Sequence, residues 1–199
     1  MGRVLIACEE SQTICNAFRQ RGVEAFSCDI QDCSGGHPEW HIKGDCLPLL
    51  NEKWDLVIAH PPCTYFSRAG MRWFKTDTTR IEKMHKAEEF FMKFVEYGLN
   101  GNRICIENVI FHNLVNLPKH TQTIEPYMFG EPYKKATRLW LYNLPKLEPT
   151  NIVKPKFLWV NSSNYGGVCC NSKDRAKTFN GIANAMADQW LKYVIKGDK

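Results

Sequence analysis

The sequence predicts an α/β protein built on a doubly wound, mostly parallel sheet with helices on both faces. Short apolar runs of strand length alternate with longer segments whose apolar residues recur at helical spacing, which is the pattern of successive βα units. The 199 residues, 44% of them hydrophobic, suit one substantial core. No internal repeat, low-complexity tract or linker divides the chain, so a single domain over 1–199 is expected.

In chain order, Arg3 to Ala7 reads as a buried strand. The turn Cys8-Glu9-Glu10-Ser11 follows, with Ser11 placed to cap a helix that puts Ile14, Ala17 and Phe18 on one face. Gly22 closes that helix. Val23 to Cys28 is a second strand, ended by Asp29, and a loop rich in Ser, Gly and Pro (34–38) precedes Gly44-Asp45. Asp55 to Ala59 is a third strand, ending at His60-Pro61-Pro62-Cys63. Thr79 and Glu82 form a capping box for a helix that buries Met84, Ala87, Phe91, Phe94 and Val95, with Gly98 and Gly101 beyond its end. Arg103 to Ile106 is a further strand, ending at Glu107-Asn108. Thr137 to Tyr142 and Phe157 to Val160 are later strands, and Gly181 to Ile195 is a closing helix.

In a doubly wound sheet, ligands bind at the carboxyl ends of the strands. The suspects are therefore Glu9, Glu10, Asp29, Asp45, Cys63 and Glu107. Composition bounds what they serve. A formal charge of +5 suits an acidic partner such as nucleic acid without requiring one. No run of eighteen apolar residues exists and the N-terminus enters a strand directly, so no membrane span or signal peptide is expected and the location is cytoplasmic. Nine scattered cysteines, an odd number, argue against a disulfide framework. Cys28, Cys33, His37 and His41 have a spacing that could hold zinc, but Cys28 falls inside a strand, and no metal is expected.

The strongest local pattern is Pro61-Pro62-Cys63-Thr64-Tyr65-Phe66-Ser67-Arg68-Ala69-Gly70, in which two prolines fix a thiol at a strand end. It resembles the nucleophile loop of the cytosine-C5 methyltransferases, which reads Pro-Cys followed by Phe-Ser-x-x-Gly. Ile104-Cys105-Ile106-Glu107-Asn108-Val109 resembles the strand of that family that ends in Glu-Asn-Val, and it follows after one helix, in the family's order. Ser34-Gly35-Gly36-His37-Pro38-Glu39-Trp40 resembles the short phage and prophage members.

The resemblance implies a Rossmann-like methyltransferase sheet, S-adenosylmethionine as cofactor and C5 of cytosine in DNA as acceptor. Cysteine chemistry explains the residue types. Cytosine C5 is a poor nucleophile until a thiolate adds at C6, and Cys63 is the implied nucleophile. Its pKa should fall near a helix N-terminus or cations. Glu107, as a carboxylic acid raised in pKa by a dry pocket, would hydrogen-bond N3 and the exocyclic amine. Asn108 and Ser67 order the loop. Arg138, in Arg138-Leu139-Trp140-Leu141, stands for an arginine that holds the base and its phosphate, and Lys135 supplies further charge. Arg72, beside Trp73 and Phe74, could clamp an extruded base, or the two aromatics could simply anchor the loop.

For the cofactor, Asp29 would accept from the ribose hydroxyls and Asp45 from the adenine amine, with Cys8, Glu9, Glu10, Ile30, Cys46 and Pro61 lining the rest. On the residues alone, Asp29 and Asp45 serve equally well as turn residues or caps. The first loop departs from the family: Phe-x-Gly-x-Gly-Gly is replaced by Ala7-Cys8-Glu9-Glu10-Ser11-Gln12, without glycine. S-adenosylmethionine carries no phosphate, so an acidic loop suits its cationic groups. Only Leu139 to Ala176 separates Arg138 from the closing segment Lys177-Thr178-Phe179-Asn180-Gly181, so any target-recognition insert within 139–176 is small. Two rivals remain: the same chemistry on a free deoxycytidine nucleotide or RNA, and a catalytically silent nucleic-acid-binding subunit. A protein partner could supply target recognition.

Overall fold

The computed structural model describes residues 2–160, 168–169 and 176–195. Its strands are β1 (Arg3–Ala7), β2 (Glu24–Asp29), β3 (His41–Lys43), β4 (Leu56–Ala59), β5 (Ile104–Asn108), β6 (Gln122–Ile124), β7 (Tyr133–Lys134), β8 (Thr137–Tyr142), β9 (Phe157–Val160) and β10 (Val168–Cys169). The helices are α1 (Thr13–Arg19), α2 (Arg80–Leu99) and α3 (Asn180–Ile195), joined by short 3-10 turns.

Seven strands form one sheet in the order β3-β2-β1-β4-β5-β8-β6. The first five are parallel; β8 is antiparallel to β5, and β6 antiparallel to β8. The central strands read as continuous apolar runs because both sheet faces are covered. Their side chains alternate: Val4, Ile6, Leu56 and Ile58 face α1 and α3, with Phe18, Met186 and Trp190. Leu5, Ala7, Val57, Ala59 and Ile106 face α2, with Phe91, Phe94 and Trp140. Helices thus lie on both faces, as expected. No described helix is long and apolar enough to cross a membrane.

Strand order reverses between β1 and β4, which opens a crevice at their carboxyl ends. The antiparallel β8 then matters for the site. Its register sets Arg138 opposite Asn108 and Leu139 opposite Glu107, so the start of β8 lies at the same edge as the end of β5.

Several local expectations change. Ser11 does not cap α1: Gln12 holds the cap position with φ 56°, and the Glu9 carboxylate accepts from Ile14 N at 2.7 Å and Cys15 N at 3.2 Å. The capping box of α2 does not form, because Thr79 Oγ1 donates to Asp77 and Glu82 pairs with Lys86. Gly98 lies inside α2 rather than past it. A Cβ there would sit 2.5 Å from Tyr142 Cγ, so its lack of a side chain lets β8 approach the helix. β3, unforeseen, is a three-residue strand recruited by β2. Phe157–Val160 is a strand, but it belongs to a separate sheet, β10-β9-β7. Residues 161–167 and 170–175, in the stretch expected to hold a recognition insert, lie outside the described residues.

Candidate active site

Everything after β4 is built to fix the backbone around Cys63 while leaving its thiol outward. Pro61 is buried and Cys63 is exposed. The Cys63 carbonyl accepts from Phe66 N at 3.0 Å and Ser67 N at 3.1 Å, which closes a turn. Phe66 plugs that turn into the core against Phe91 and Phe111. Ser67 Oγ accepts from Gly70 N and caps the 3-10 turn that carries Arg72. From α2, the buried Arg80 donates to the Thr64 carbonyl at 2.9 Å and packs over Tyr65. His112, after β5, donates its Nε2 proton to the Tyr65 carbonyl and its backbone N–H to the Phe66 carbonyl. Asn108 Nδ2 donates to the Pro61 carbonyl at 2.8 Å, tying the end of β5 to the loop.

Glu107, on β5, hydrogen-bonds through Oε2 to His60 Nδ1 at 3.1 Å. The raised carboxyl pKa expected for it is corrected here. Burial pushes Glu107 up, but the hydrogen bond and charge of His60, helped by Lys135, outweigh burial and leave it below the ordinary value. The His60 Nε2 atom is buried without a hydrogen-bond partner. Glu9 also feels His60: burial raises its carboxyl against the opposing charge of His60 and its two backbone N–H partners. His60 therefore acts on two carboxyls, by a hydrogen bond and charge on Glu107 and by charge on Glu9.

The remaining strand ends form an acidic, thiol-floored edge. Cys8 Sγ and Cys46 Sγ are 3.7 Å apart, and their hydrogen bond, with burial, holds Cys8 well above the ordinary thiol value. Burial, then the charges of Cys46, Asp29 and Asp45, push Cys28 up to about 12. Asp29 Oδ1 and Asp45 Oδ1 each accept a backbone N–H two residues on, from Gln31 and Leu47, and among the described residues neither aspartate uses its other oxygen. Ile30 is 75% exposed beside Asp29. Glu10 belongs to the same loop and is half-buried, whereas the Glu9 carboxylate is spent on capping α1 and does not reach outward. Cys8 and Gln12 adopt φ 61° and 56°, two of the three non-glycine residues at positive φ among the described residues. The loop thus carries in strained residues the conformation that glycine adopts without cost. An open carboxylate at β2, another after β3 and negative potential between them fit a ribose, an adenine amine and a cationic sulfonium.

On the other side, Lys135 Nζ donates to the Lys177 carbonyl at 3.4 Å and lies 5.8 Å from the Phe179 ring centroid, which brings the closing segment to the site. Gly181 is needed there, because a Cβ would collide with the Phe129 carbonyl. The Arg138 guanidinium lies 6.0 Å from the Phe111 ring centroid. Arg72 is exposed, its guanidinium 4.9 Å over Trp73, itself 51% exposed, while Phe74 packs on His112. Among the described residues no three His, Cys, Asp or Glu side chains gather as a metal would require. The four residues with zinc-like spacing have other attachments where bonds are seen: Cys28 to the Gly44 carbonyl, His41 to Ser27 and Gln31, and His37 stacked on Trp40.

No protein-family model and no curated protein matches this sequence. Solved structures do match. One is a protein assigned as a DNA modification methyltransferase encoded within a prophage of E. coli, with TM-score 0.51 and 12% identity over 77% of this chain and 52% of that one. Another is the S. pombe Dnmt2 methyltransferase, with TM-score 0.44 and 14% identity over 73% of this chain and 50% of that one. The fold is the Rossmann-like methyltransferase fold.

The chain spans about half the length of these structures. Its methyltransferase fold brings Cys63, Glu107, Asn108 and Arg138 to one sheet edge, and Asp29, Ile30, Asp45, Cys8 and Cys46 to the neighbouring stretch of it. Sequence reasoning missed His60, Arg80 and His112. His60 alone left a signal: it is the polar residue directly at the end of β4, passed over because the matched motif begins one residue later.

Proposed function

We propose that this protein transfers a methyl group from S-adenosylmethionine to C5 of cytosine in DNA, through a covalent adduct between Cys63 and C6. The observation that carries the reading is the coupling of two strand ends. An outward thiol sits on a backbone tied by Asn108 to the strand that presents Glu107.

The thiolate of Cys63 adds to C6, and the electron pair displaced from the C5–C6 bond is received through the ring at N3, which takes a proton. Glu107, whose Oε1 makes no hydrogen bond among the described residues, delivers that proton. His60 restocks it, because imidazolium beside carboxylate and imidazole beside carboxylic acid hold the same single proton. This reconciles a low carboxyl pKa with an acid's role. Bound S-adenosylmethionine would supply the electrophilic methyl, held by Asp29 at the ribose, Asp45 at the adenine amine, and Cys8, Glu10, Ile30, Cys46 and Pro61 around them. As C5 takes the methyl, N3 gives its proton back to Glu107; loss of the C5 proton to a base then restores the C5–C6 double bond, and the sulfur leaves as thiolate. Arg138, Lys135 and Arg72 face the substrate side, and Ser67 keeps the loop in shape.

Trapping tests this directly. DNA bearing 5-fluorocytosine lacks the C5 proton needed for release, so wild-type protein with cofactor should form a denaturation-resistant adduct that Cys63→Ala cannot form. No adduct together with no label transfer would sink the proposal. The same chemistry on a smaller substrate has its own readout: label on deoxycytidine monophosphate but none on DNA or RNA would select it.

A further inference from the structure

Arg68, Lys119 and Arg138 come from three stretches of chain, the turn after Cys63, the loop before β6 and the start of β8, and they line one cavity of about 370 Å³. No Asp or Glu lines it, and among the described residues none of the three cations forms an ion pair. Two of these cations bear on a neighbour. His120 lies in the same lining, and burial, with the charges of Arg138 and Lys119, holds its imidazole below the ordinary value. The wall is rigid: Phe111 stacks on Trp140 at 5.1 Å, and Trp140 Nε1 donates to the Pro118 carbonyl at 2.7 Å, pinning the loop that carries Lys119 and His120. His112 contributes only wall, since Nε2 serves Tyr65 and Nδ1 accepts from Leu114.

Like charges gathered without an acid repel one another, and an entering anion relieves the repulsion. Arginine forks suit phosphate oxygens and lysine adds a point charge. The volume admits a phosphate with several waters, each claiming about 30 Å³. We propose that this cavity is a phosphate-ester site, in which Arg68, Lys119 and His120 join Arg138 to anchor a nucleotide beside Cys63. Only the identity of the ester rests on the function proposed above; binding of the anion does not. Its source is either the nucleotide's own monoester or a diester of the strand.

His120 is the reporter. The groups around it are Lys119 on its own loop, Arg138 and Trp140 on β8, Thr123 on β6, and Arg68 across the cavity, with no carboxylate among the lining residues. An entering phosphate therefore raises its pKa. The test follows the His120 ring signal through a pH titration in the full chain, assigned with His120→Gln, using inorganic phosphate, deoxycytidine, its 5′-monophosphate and a short oligodeoxynucleotide. Every phosphorylated probe should raise the titration midpoint and deoxycytidine should not. Lys119→Ala and Arg68→Ala, at side chains that form no ion pair among the described residues, should each weaken the phosphate effect about tenfold. Tighter binding of the oligodeoxynucleotide than of the monophosphate assigns the diester, and equal binding the monoester. A His120 midpoint indifferent to every phosphorylated probe overturns the site, as does an undiminished shift in the Arg68→Glu, Lys119→Glu double variant. Phosphate binding without a 5-fluorocytosine adduct would leave this site standing and remove methyl transfer; an adduct with an unresponsive His120 would do the reverse.

Discussion

His60 and Glu107 face each other across 3.1 Å with side chains only 12% and 21% exposed, so the imidazole bears directly on the carboxyl. Glu107 is held below its ordinary value of 4.5. A depressed carboxyl stabilises the fold above the unfolded-state pKa, and that contribution fades as pH falls through the folded-state value. In His60→Ala the burial of Glu107 is opposed only by Lys135, and its carboxyl rises. The substitution should then cost about 2 kcal/mol near neutral pH and much less near about pH 4, as read by urea unfolding at both. An equal cost at the two pH values would contradict the pairing. Glu9 is the second residue whose role the structure redefines. Glu9→Ala should lose about 1–2 kcal/mol, because two N–H groups at the start of α1 go unanswered. Glu9→Gln keeps one acceptor oxygen and should lose less, in the same thermal unfolding assay.

At the scale of elements, α2 and the loops around Cys63 show how packing overrides local rules. Alanine for glycine inside a helix ordinarily gains about 1 kcal/mol. Gly98→Ala should instead destabilise by about 1–3 kcal/mol, since its Cβ would meet the Tyr142 ring at 2.5 Å and push α2 off β8. A lower urea midpoint at unchanged slope would confirm this. Asn108→Ala unties the Pro61 carbonyl from β5. It should slow formation of the 5-fluorocytosine adduct on the order of a hundredfold, a loss that tracks misplacement of Cys63 by a fraction of its bond length to C6. Apolar spacing made α1 and α2 legible, yet the side-chain caps at their starts were not. Thr79 and Ser11 have capping chemistry, but Thr79 gives its hydroxyl to Asp77, and Glu9 takes the N–H groups at the start of α1.

For the whole molecule, the sheet is a stack whose centre is sealed on both faces and whose margins are short. Amide exchange in the native state should be slowest in β1, β4 and β5 and faster by orders of magnitude in β3 and β6, each three residues long and paired on one side. Uniform protection across the seven strands would refute that gradient. Sequence alone determined the parallel strands and the helices on both faces, because continuous apolar runs need cover on both sides; the split of the core into two clusters, one per sheet face, came only with the structure. The sequence also singled out Cys63 and Glu107, since residues at strand ends inherit the edge where ligands bind, and Asn108 through the resemblance of its strand to the family's Glu-Asn-Val segment. It did not determine β3, the separate three-stranded sheet or the charge of Glu107. β3 lacks an apolar signal of its own and exists through pairing with β2. Arg138 reaches the site because an antiparallel register sets it opposite Asn108. His60 governs Glu107 because two neighbouring strands end side by side. Such contacts join residues far apart in the chain, and only the folded arrangement supplies the distance on which their electrostatics depends.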